Sequence, residues 1–309
     1  MGHPVGLKSA GSPLIVVYVN GLLVIDKPGG MTSHDVVARV RRVTGEKSIG
    51  HLGTLDPMAT GVLPLLLGKF TRLAQYFGAM EKAYTGTIRF GFATDTYDAE
   101  GVAQGAARPL TLDLAELREL AERFDGEIEQ MPPPYSAKKI DGQPAYTQAR
   151  AGETPKLKAV PVTVHEFALE ALHGDCAAFR MRISSGGYVR SVAHELGQLA
   201  GCGAHLASLR RTVAGKLTLA DAISLERMEE LAAAGELEER MPHPREILTE
   251  LPAVTADAKS AGRLRNGMQV NLPDFSRAPL VRIFEGQREM IAIGRRVAGT
   301  LFQPVAVIG

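Results

Sequence analysis

Near Pro252 the spacing of apolar residues changes, and that change divides the chain before any motif is read. Downstream, short apolar runs are separated by Asn266-Gly267, Pro273, Glu285-Gly286 and Gly299, as expected of a small all-β unit over 251–309. Upstream, over 19–250, the segments are longer and alternate between helical and strand spacing. A chain of 309 residues suits one large domain followed by a small one. Residues 1–18, with their Gly, Ser and Pro, read as a flexible tail.

Within the larger unit, Val16 to Val24 is apolar and β-branched and reads as strands broken at the turn pair Asn20-Gly21. A turn follows at Asp26-Lys27-Pro28-Gly29-Gly30. Ser33 is placed to cap a helix whose Val36, Val37, Val40 and Val43 fall at helical spacing and which stops at Gly45. Gly50 to Thr60 is loop-like, and Gly61 to Leu67 reads as a buried segment. Tyr84 to Phe92 alternates as a strand does. A second helix runs from Asp113 to Phe124, with Glu116 completing a capping box and Gly126 ending it. Phe179 to Ile183 reads as a strand and Ser191 to Ala200 as a helix. Between the second helix and the Phe179 strand, Met131 to Pro161 holds three consecutive prolines with Lys138, Lys139, Lys156 and Lys158, and reads as a mobile basic excursion.

Composition narrows the classes of function. Hydrophobic residues at 45% and charged residues at 22% describe a globular protein, with enough apolar surface to offset chain entropy. No run of about 20 apolar residues is present, and the first residues lack a basic start followed by an apolar run. A cytoplasmic protein is therefore expected. Cys176 and Cys202 are too few for a disulfide framework or a four-cysteine zinc site. The net charge of +1 is low for a nucleic-acid binder, so distribution matters more than the sum. Basic clusters recur at Arg39, Arg41 and Arg42, at the lysines of 138–158, at Arg210 and Arg211, and at Arg295 and Arg296. The acid of Glu229, Glu230, Glu236, Glu238 and Glu239 lies in one helical-looking stretch, which allows a basic face and an acidic back.

The most informative stretch is Gly50-His51-Leu52-Gly53-Thr54-Leu55-Asp56-Pro57-Met58-Ala59-Thr60-Gly61-Val62-Leu63, with a single carboxylate. Pro57 keeps Asp56 out of helical geometry. A carboxylate shown on a Gly- and Pro-rich turn is either a covalent nucleophile, as carboxylates are at sugar carbons, or a residue that caps its own loop. The residues alone leave both open. In the same way, Tyr84 alone is a strand aromatic and Arg190 a surface charge.

This stretch closely resembles the catalytic loop of the bacterial TruB-type tRNA pseudouridine synthases, Gly-His-x-Gly-Thr-Leu-Asp-Pro-x-Ala-x-Gly-Val-Leu, at every fixed position. Further segments match in order: Leu23 to Ser33, Lys82-Ala83-Tyr84, Thr94 to Gly101, Pro132 to Lys139, Gly187 to Ser191, and Leu206 to Arg211. The resemblance implies an α+β fold, with a mixed, largely antiparallel long sheet and a C-terminal PUA-type RNA-binding barrel. It implies isomerisation of uridine to pseudouridine at position 55 in the T loop of tRNA, with base flipping. No cofactor, metal or obligate protein partner is implied, and a monomer is expected. By this resemblance Asp56 aligns with the nucleophile, Tyr84 with the active-site tyrosine and Arg190 with the partner of the catalytic carboxylate. His51 aligns with the residue that helps hold the flipped-out RNA, and Asp98 with a supporting polar group. Lys27 is read as approaching the phosphate backbone, and Tyr188 and Leu209 as substrate-binding. The basic excursion and the C-terminal unit are expected to supply affinity more than chemistry.

Other motifs fail on a required residue. His194-Glu195 opens like a zinc-protease motif, but Gln198 stands where the second histidine is needed. Gly68-Lys69 ends like a phosphate loop, but Phe70 replaces the Ser or Thr. Asp95, Asp98 and Glu100 lack calcium-loop spacing. Two competing readings stay open: an RNA-binding module whose Asp56 loop is only structural, and a metal-dependent hydrolase. Chelation and an assay for pseudouridine separate them.

Overall fold

The computed structural model describes residues 20–309 apart from 79, 137–138, 141–142, 145–156 and 275, and only the backbone of 139–140 and 143–144. The tail, the strand expected before Asn20, and the side chains of Lys138, Lys139 and Lys156 lie outside the described residues.

A long sheet runs through the larger part of the chain. Its strands are β1 (Gly21–Lys27), β2 (Ile49–His51), β3 (Thr60–Leu67), β4 (Lys82–Phe90), β7 (Gly126–Gln130), β10 (Val160–His173), β11 (Cys176–Ile183), β12 (Ala204–Ala214) and β13 (Leu217–Thr218). Two small hairpins lie apart from it, β5 (Ala93–Thr94) with β6 (Ala103–Gln104), and β8 (Lys139–Ile140) with β9 (Gln143–Pro144). The strand order is β1-β3-β12-β4-β11-β10-β7, with β2 beside β3 and β13 beside β12. Every pairing is antiparallel except β3 with β12. The sheet is thus mixed and largely antiparallel, as expected.

Helices α1 (Ser33–Thr44), α2 (Leu114–Ala121), α3 (Val189–Leu199) and α4 (Leu225–Ala234) accompany the sheet. Val36, Val37 and Val40 of α1, Leu117 of α2, Val192 and Leu196 of α3 and Met228 of α4 join one core with Ile88, Phe90 and Phe179 of the sheet. Burying each such side chain contributes about 1.5–3 kcal/mol. Asp113 and Glu116 make the expected capping box on α2.

Several local expectations are corrected. Gly21 is the first residue of β1 rather than part of a turn, and the strand runs past Val24 to Lys27, because Gly21 to Lys27 pairs residue for residue with Leu67 to Gly61. The cap of α1 is Thr32 rather than Ser33, since Asp35, three residues on, completes a capping box with Thr32. Helix α3 begins at Val189, so Arg190 lies in its first turn. Strands β10 and β12 were not legible, for reasons taken up below.

The last segment forms a separate five-stranded sheet, β14 (Ala253–Ala256), β15 (Val270–Asn271), β16 (Leu280–Glu285), β17 (Glu289–Ala298) and β18 (Leu301–Val307), in the order β14-β16-β17-β18-β15. It is not all-β: Ala258–Arg265 forms helix α5, capped by Asp257, with Ala261 and Leu264 buried under the sheet. The two sheets share apolar contacts. Leu22, Leu66, Phe70 and Leu73 cluster with Phe284, Ile293 and Ile308, and Lys69 and Arg72 donate to the carbonyls of Gly309 and Val307.

Candidate active site

Asp56 sits on the loop between β2 and β3, and almost every residue of that loop is tied down. The hydroxyl of Ser33 donates to the carbonyl of Leu55 (3.1 Å) and accepts from its N–H (2.9 Å). Gly30 N–H and the Lys27 ammonium both donate to the carbonyl of Pro57, at 2.9 and 3.1 Å. Arg211, fully buried, donates from Nη2 to Gly53 O (3.1 Å) and from Nε to Val62 O (2.7 Å). The base of the loop is the parallel seam between β3 and β12, where Gly61 pairs with Arg211. Gly61 has φ 100°, and a Cβ there would lie 2.1 Å from the Arg211 carbonyl, so the seam requires glycine.

Arg190 reaches this loop from α3. Its Nη2 donates to Asp56 Oδ1 (3.0 Å), and its Nε lies 2.9 Å from Asp56 Oδ2, off the hydrogen-bond axis. Nη1 donates to Asp98 Oδ2 (3.3 Å) and to the carbonyl of Thr96 (3.0 Å), and Nη2 also meets the carbonyl of Tyr135 (3.0 Å). The Arg190 and Asp98 side chains are only 6% and 4% exposed, so Arg190 is no surface charge. One guanidinium therefore holds two carboxylates from separate nitrogens, a use of the rigid donor fork that a lysine ammonium does not offer.

Asp56 keeps 31% of its side-chain surface and lines two clefts. Burial pushes its carboxyl above the ordinary value, Arg190 pulls it back, and Asp98 adds to the rise. On one side of the Asp56–Arg190 pair lies a pocket of about 250 Å³, lined by Tyr84, Tyr188, Leu209, Lys82 and Gly187. On the other lies a cavity of about 480 Å³, lined by Asp98, Glu100, His34, Thr96, Tyr135 and Ser136. Asp56 and Arg190 line both, together with Thr54 and Leu55.

Tyr84 is buried on β4, and burial raises its phenol above the ordinary value while Arg211 offsets part of that rise. Tyr188 is half-buried; its N–H donates to Gln130 Oε1 (2.7 Å) and its carbonyl accepts from Gln130 Nε2 (3.0 Å). Asp56, Tyr84, Arg190, Tyr188 and Leu209 thus come together in one pocket, with Asp98 behind Arg190.

Two expected residues stand elsewhere. Lys27 is fully buried and donates to the carbonyls of Pro28, Met31 and Pro57, so it has no face for a phosphate. Burial lowers its pKa to about 8, against the opposing attraction of Asp56 and Glu100. His51 lines neither cavity; it packs edge-on against His34 with ring centroids 5.5 Å apart, and burial lowers its pKa.

The basic clusters also resolve differently from expectation. Arg211 is internal, Arg210 pairs with Asp26 (2.7 Å), and Arg39 pairs with Glu229 (2.7 Å) and Glu226 (3.3 Å). Part of the acidic stretch therefore neutralises α1. Lys158 is exposed.

Sequence reading gave no place in the site to Lys82, whose pKa burial lowers to about 8, to Gln130 or Tyr135, or to Ser33, which it read only as a helix cap. Lys82 stands in a quoted motif, which was the available signal. Ser33 and Tyr135 stand in quoted motifs as well, whereas Gln130 acts through contacts with the Tyr188 backbone that leave no pattern. Among the described residues no cluster of His, Cys, Asp or Glu is placed to hold a metal, and no helix is long and apolar enough to cross a membrane.

The family model "TruB family pseudouridylate synthase (N terminal domain)" matches residues 41–189, and "tRNA pseudouridylate synthase B C-terminal domain" matches 190–251. The chain belongs to the TruB family. Curated relatives named "tRNA pseudouridine synthase B" include one from Solibacter usitatus, 42% identical over 94% of this chain and 100% of the relative. Another, from Geobacter sulfurreducens, is 42% identical over 81% of this chain and 82% of the relative. A solved structure described as "Crystal Structure of a Cbf5-Nop10-Gar1 Complex" superposes with a TM-score of 0.70 at 24% identity, over 96% of this chain and 88% of that one. That likeness concerns the fold alone, and it extends past the TruB family models into the terminal sheet.

Proposed function

We propose that this TruB-family chain isomerises uridine to pseudouridine in tRNA, at position 55 of the T loop. The observation that carries the reading is Asp56, held by Arg190 and lining one pocket with Tyr84. In this isomerisation the N1–C1′ bond breaks and a C5–C1′ bond forms; a proton leaves C5 and one is gained at N1. Atoms and electrons balance within the nucleotide, so the reaction calls for no cofactor or metal.

The residues divide the work. Leaving the stack costs the uridine a few kcal/mol. Stacking on an aromatic such as Tyr84 returns about 1–3 kcal/mol. Asp56 supplies the anionic oxygen of a covalent route, Arg190 keeps that oxygen aimed and ionised, and Asp98 fixes Arg190. Tyr188 and Leu209 close the pocket over the base. His51, beside the loop but outside the pocket, meets the RNA around the extracted nucleotide. Residues 19–250 form the catalytic domain, and 251–309 a PUA-like unit that grips the tRNA backbone. The enzyme works as a monomer in the cytoplasm.

The test is incubation of the purified chain with unmodified tRNA and a position-resolved assay for pseudouridine. Product confined to position 55 is expected. Tight tRNA binding with no product would leave a binding module with a structural Asp56.

A further inference from the structure

The loop that carries Asp98 is joined to α3 a second time, one helical turn beyond Arg190. Four residues after Arg190, the ring of His194 stacks on the ring of Tyr97, with centroids 3.7 Å apart and planes 12° from parallel. Tyr97 precedes Asp98 and has φ 65°, in the left-handed region. A bulky aromatic there is an outlier that the surrounding structure must hold in place.

The turned backbone has a visible effect. The carbonyl of Thr96 and the carboxylate of Asp98 stand on either side of Tyr97, yet both accept from the same Arg190 Nη1, at 3.0 and 3.3 Å. Meanwhile the carbonyl of Tyr97 accepts from Leu206 N–H (3.0 Å), and Ala99 N–H donates to Leu206 O (3.0 Å), pinning the loop to β12. Neither ring lines either cavity at the Asp56–Arg190 pair. His194 Nδ1 is buried without a hydrogen-bond partner, so its ring contributes area to the stack rather than a polar contact.

We propose that Tyr97 and His194 are positioning residues for catalysis. Their stack holds the left-handed turn that aims Thr96 O and Asp98 at Arg190, and so keeps Arg190 square to Asp56. The inference rests on the catalytic roles proposed above for Asp56 and Arg190. Ring area does the holding, so a phenyl ring at either position serves.

The experiment measures kcat and KM for pseudouridine formation on an unmodified tRNA transcript, with folding checked by thermal unfolding. The variants are Tyr97→Ala, Tyr97→Phe, His194→Ala and His194→Phe. Each Ala variant is expected to lose about tenfold or more in kcat with KM within about twofold of wild type, the signature of lost transition-state geometry rather than lost binding. Each Phe variant is expected to recover most of that loss. The double Ala variant should be little slower than either single one, because both remove one contact. Should Tyr97→Ala fail to fold, the His194 pair reads the same stack. Ala variants that fold less stably but keep wild-type kcat, or Phe variants as slow as Ala, overturn the positioning role. A wild-type chain that makes no pseudouridine overturns the proposed reaction, and this inference with it.

Discussion

The Lys27 ammonium donates to the carbonyl of Pro57, the residue immediately after Asp56, at 3.1 Å. A cation in a motif read as RNA-facing is therefore part of the mount on which the carboxylate stands. Its other donors go to Pro28 and Met31, so it joins the turn after β1 to the loop after β2.

Lys27→Met keeps the aliphatic stem and removes all three donors. The carbonyls of Pro28 and Met31 are only partly buried and Gly30 N–H still serves Pro57, so a loss of about 1–3 kcal/mol is expected in denaturant unfolding. The salt dependence of tRNA affinity should not change. A slope lower by about 1 would return Lys27 to the phosphates.

Gly61→Ala places a methyl group 2.1 Å from the Arg211 carbonyl at a backbone angle that alanine avoids. Strain and overpacking together should cost roughly 2–5 kcal/mol. Gly30→Ala is the control: its φ is 77° but nothing lies within reach of a Cβ, so about 1–2 kcal/mol is expected. Equal losses in the two variants, measured by urea unfolding, would remove the close approach at the β3–β12 seam from the account.

Asp56→Asn keeps shape and most hydrogen bonding but removes the anionic oxygen. Turnover should fall by several orders of magnitude while tRNA affinity moves little. Substantial turnover in a preparation free of wild-type protein would defeat the nucleophile assignment.

The pH dependence follows from the direction of the Asp56 shift. Burial raises its carboxyl above the ordinary value of about 3.9, so the ionised form appears only at higher pH than for an exposed aspartate. The acid limb of the kcat/KM profile, which reports the free enzyme, should therefore lie above that ordinary value. For stability the sign is opposite: a raised acid binds its proton more tightly when folded, so this group's contribution to stability declines as pH rises through its folded value. Asp56→Asn removes that decline, and its stability relative to wild type should be greater at pH 8 than below about 3.9. A difference independent of pH would mean that the dehydration of Asp56 has been misread.

How much of this was legible in the chain differs from residue to residue. Asp56 was legible through the resemblance of its whole loop, because its own surroundings of Gly53, Pro57 and Gly61 leave nucleophile and loop cap equally open. Thr32 and Ser33 can both cap a helix, and only the reach of Asp35 back to Thr32 decides between them. Strand β12 carries His205, Arg210 and Arg211, and its register with β4 slips twice, which breaks the alternation that announces a strand. Strand β10 contains Pro161 and has two register shifts against β11. Arg211 shows the underlying difficulty: beside Arg210 it reads as half of a basic patch, yet a one-residue step along a strand turns a side chain to the opposite face. Arg210 meets Asp26 near the surface while Arg211 lies in the interior.

The apolar cluster joining the two sheets bears on what can be cut away. Phe70 and Leu73, from the catalytic side, are packed with Phe284, Ile293 and Ile308 of the terminal sheet, and two carbonyls at the very end of β18 and beyond it are held by Lys69 and Arg72. Ending the chain at Leu251 would uncover that seam as a greasy scar beside β1 and β3. The terminal sheet is a structural cover for the modifying unit as well as a proposed grip on tRNA, so the whole chain should melt in one calorimetric step rather than two.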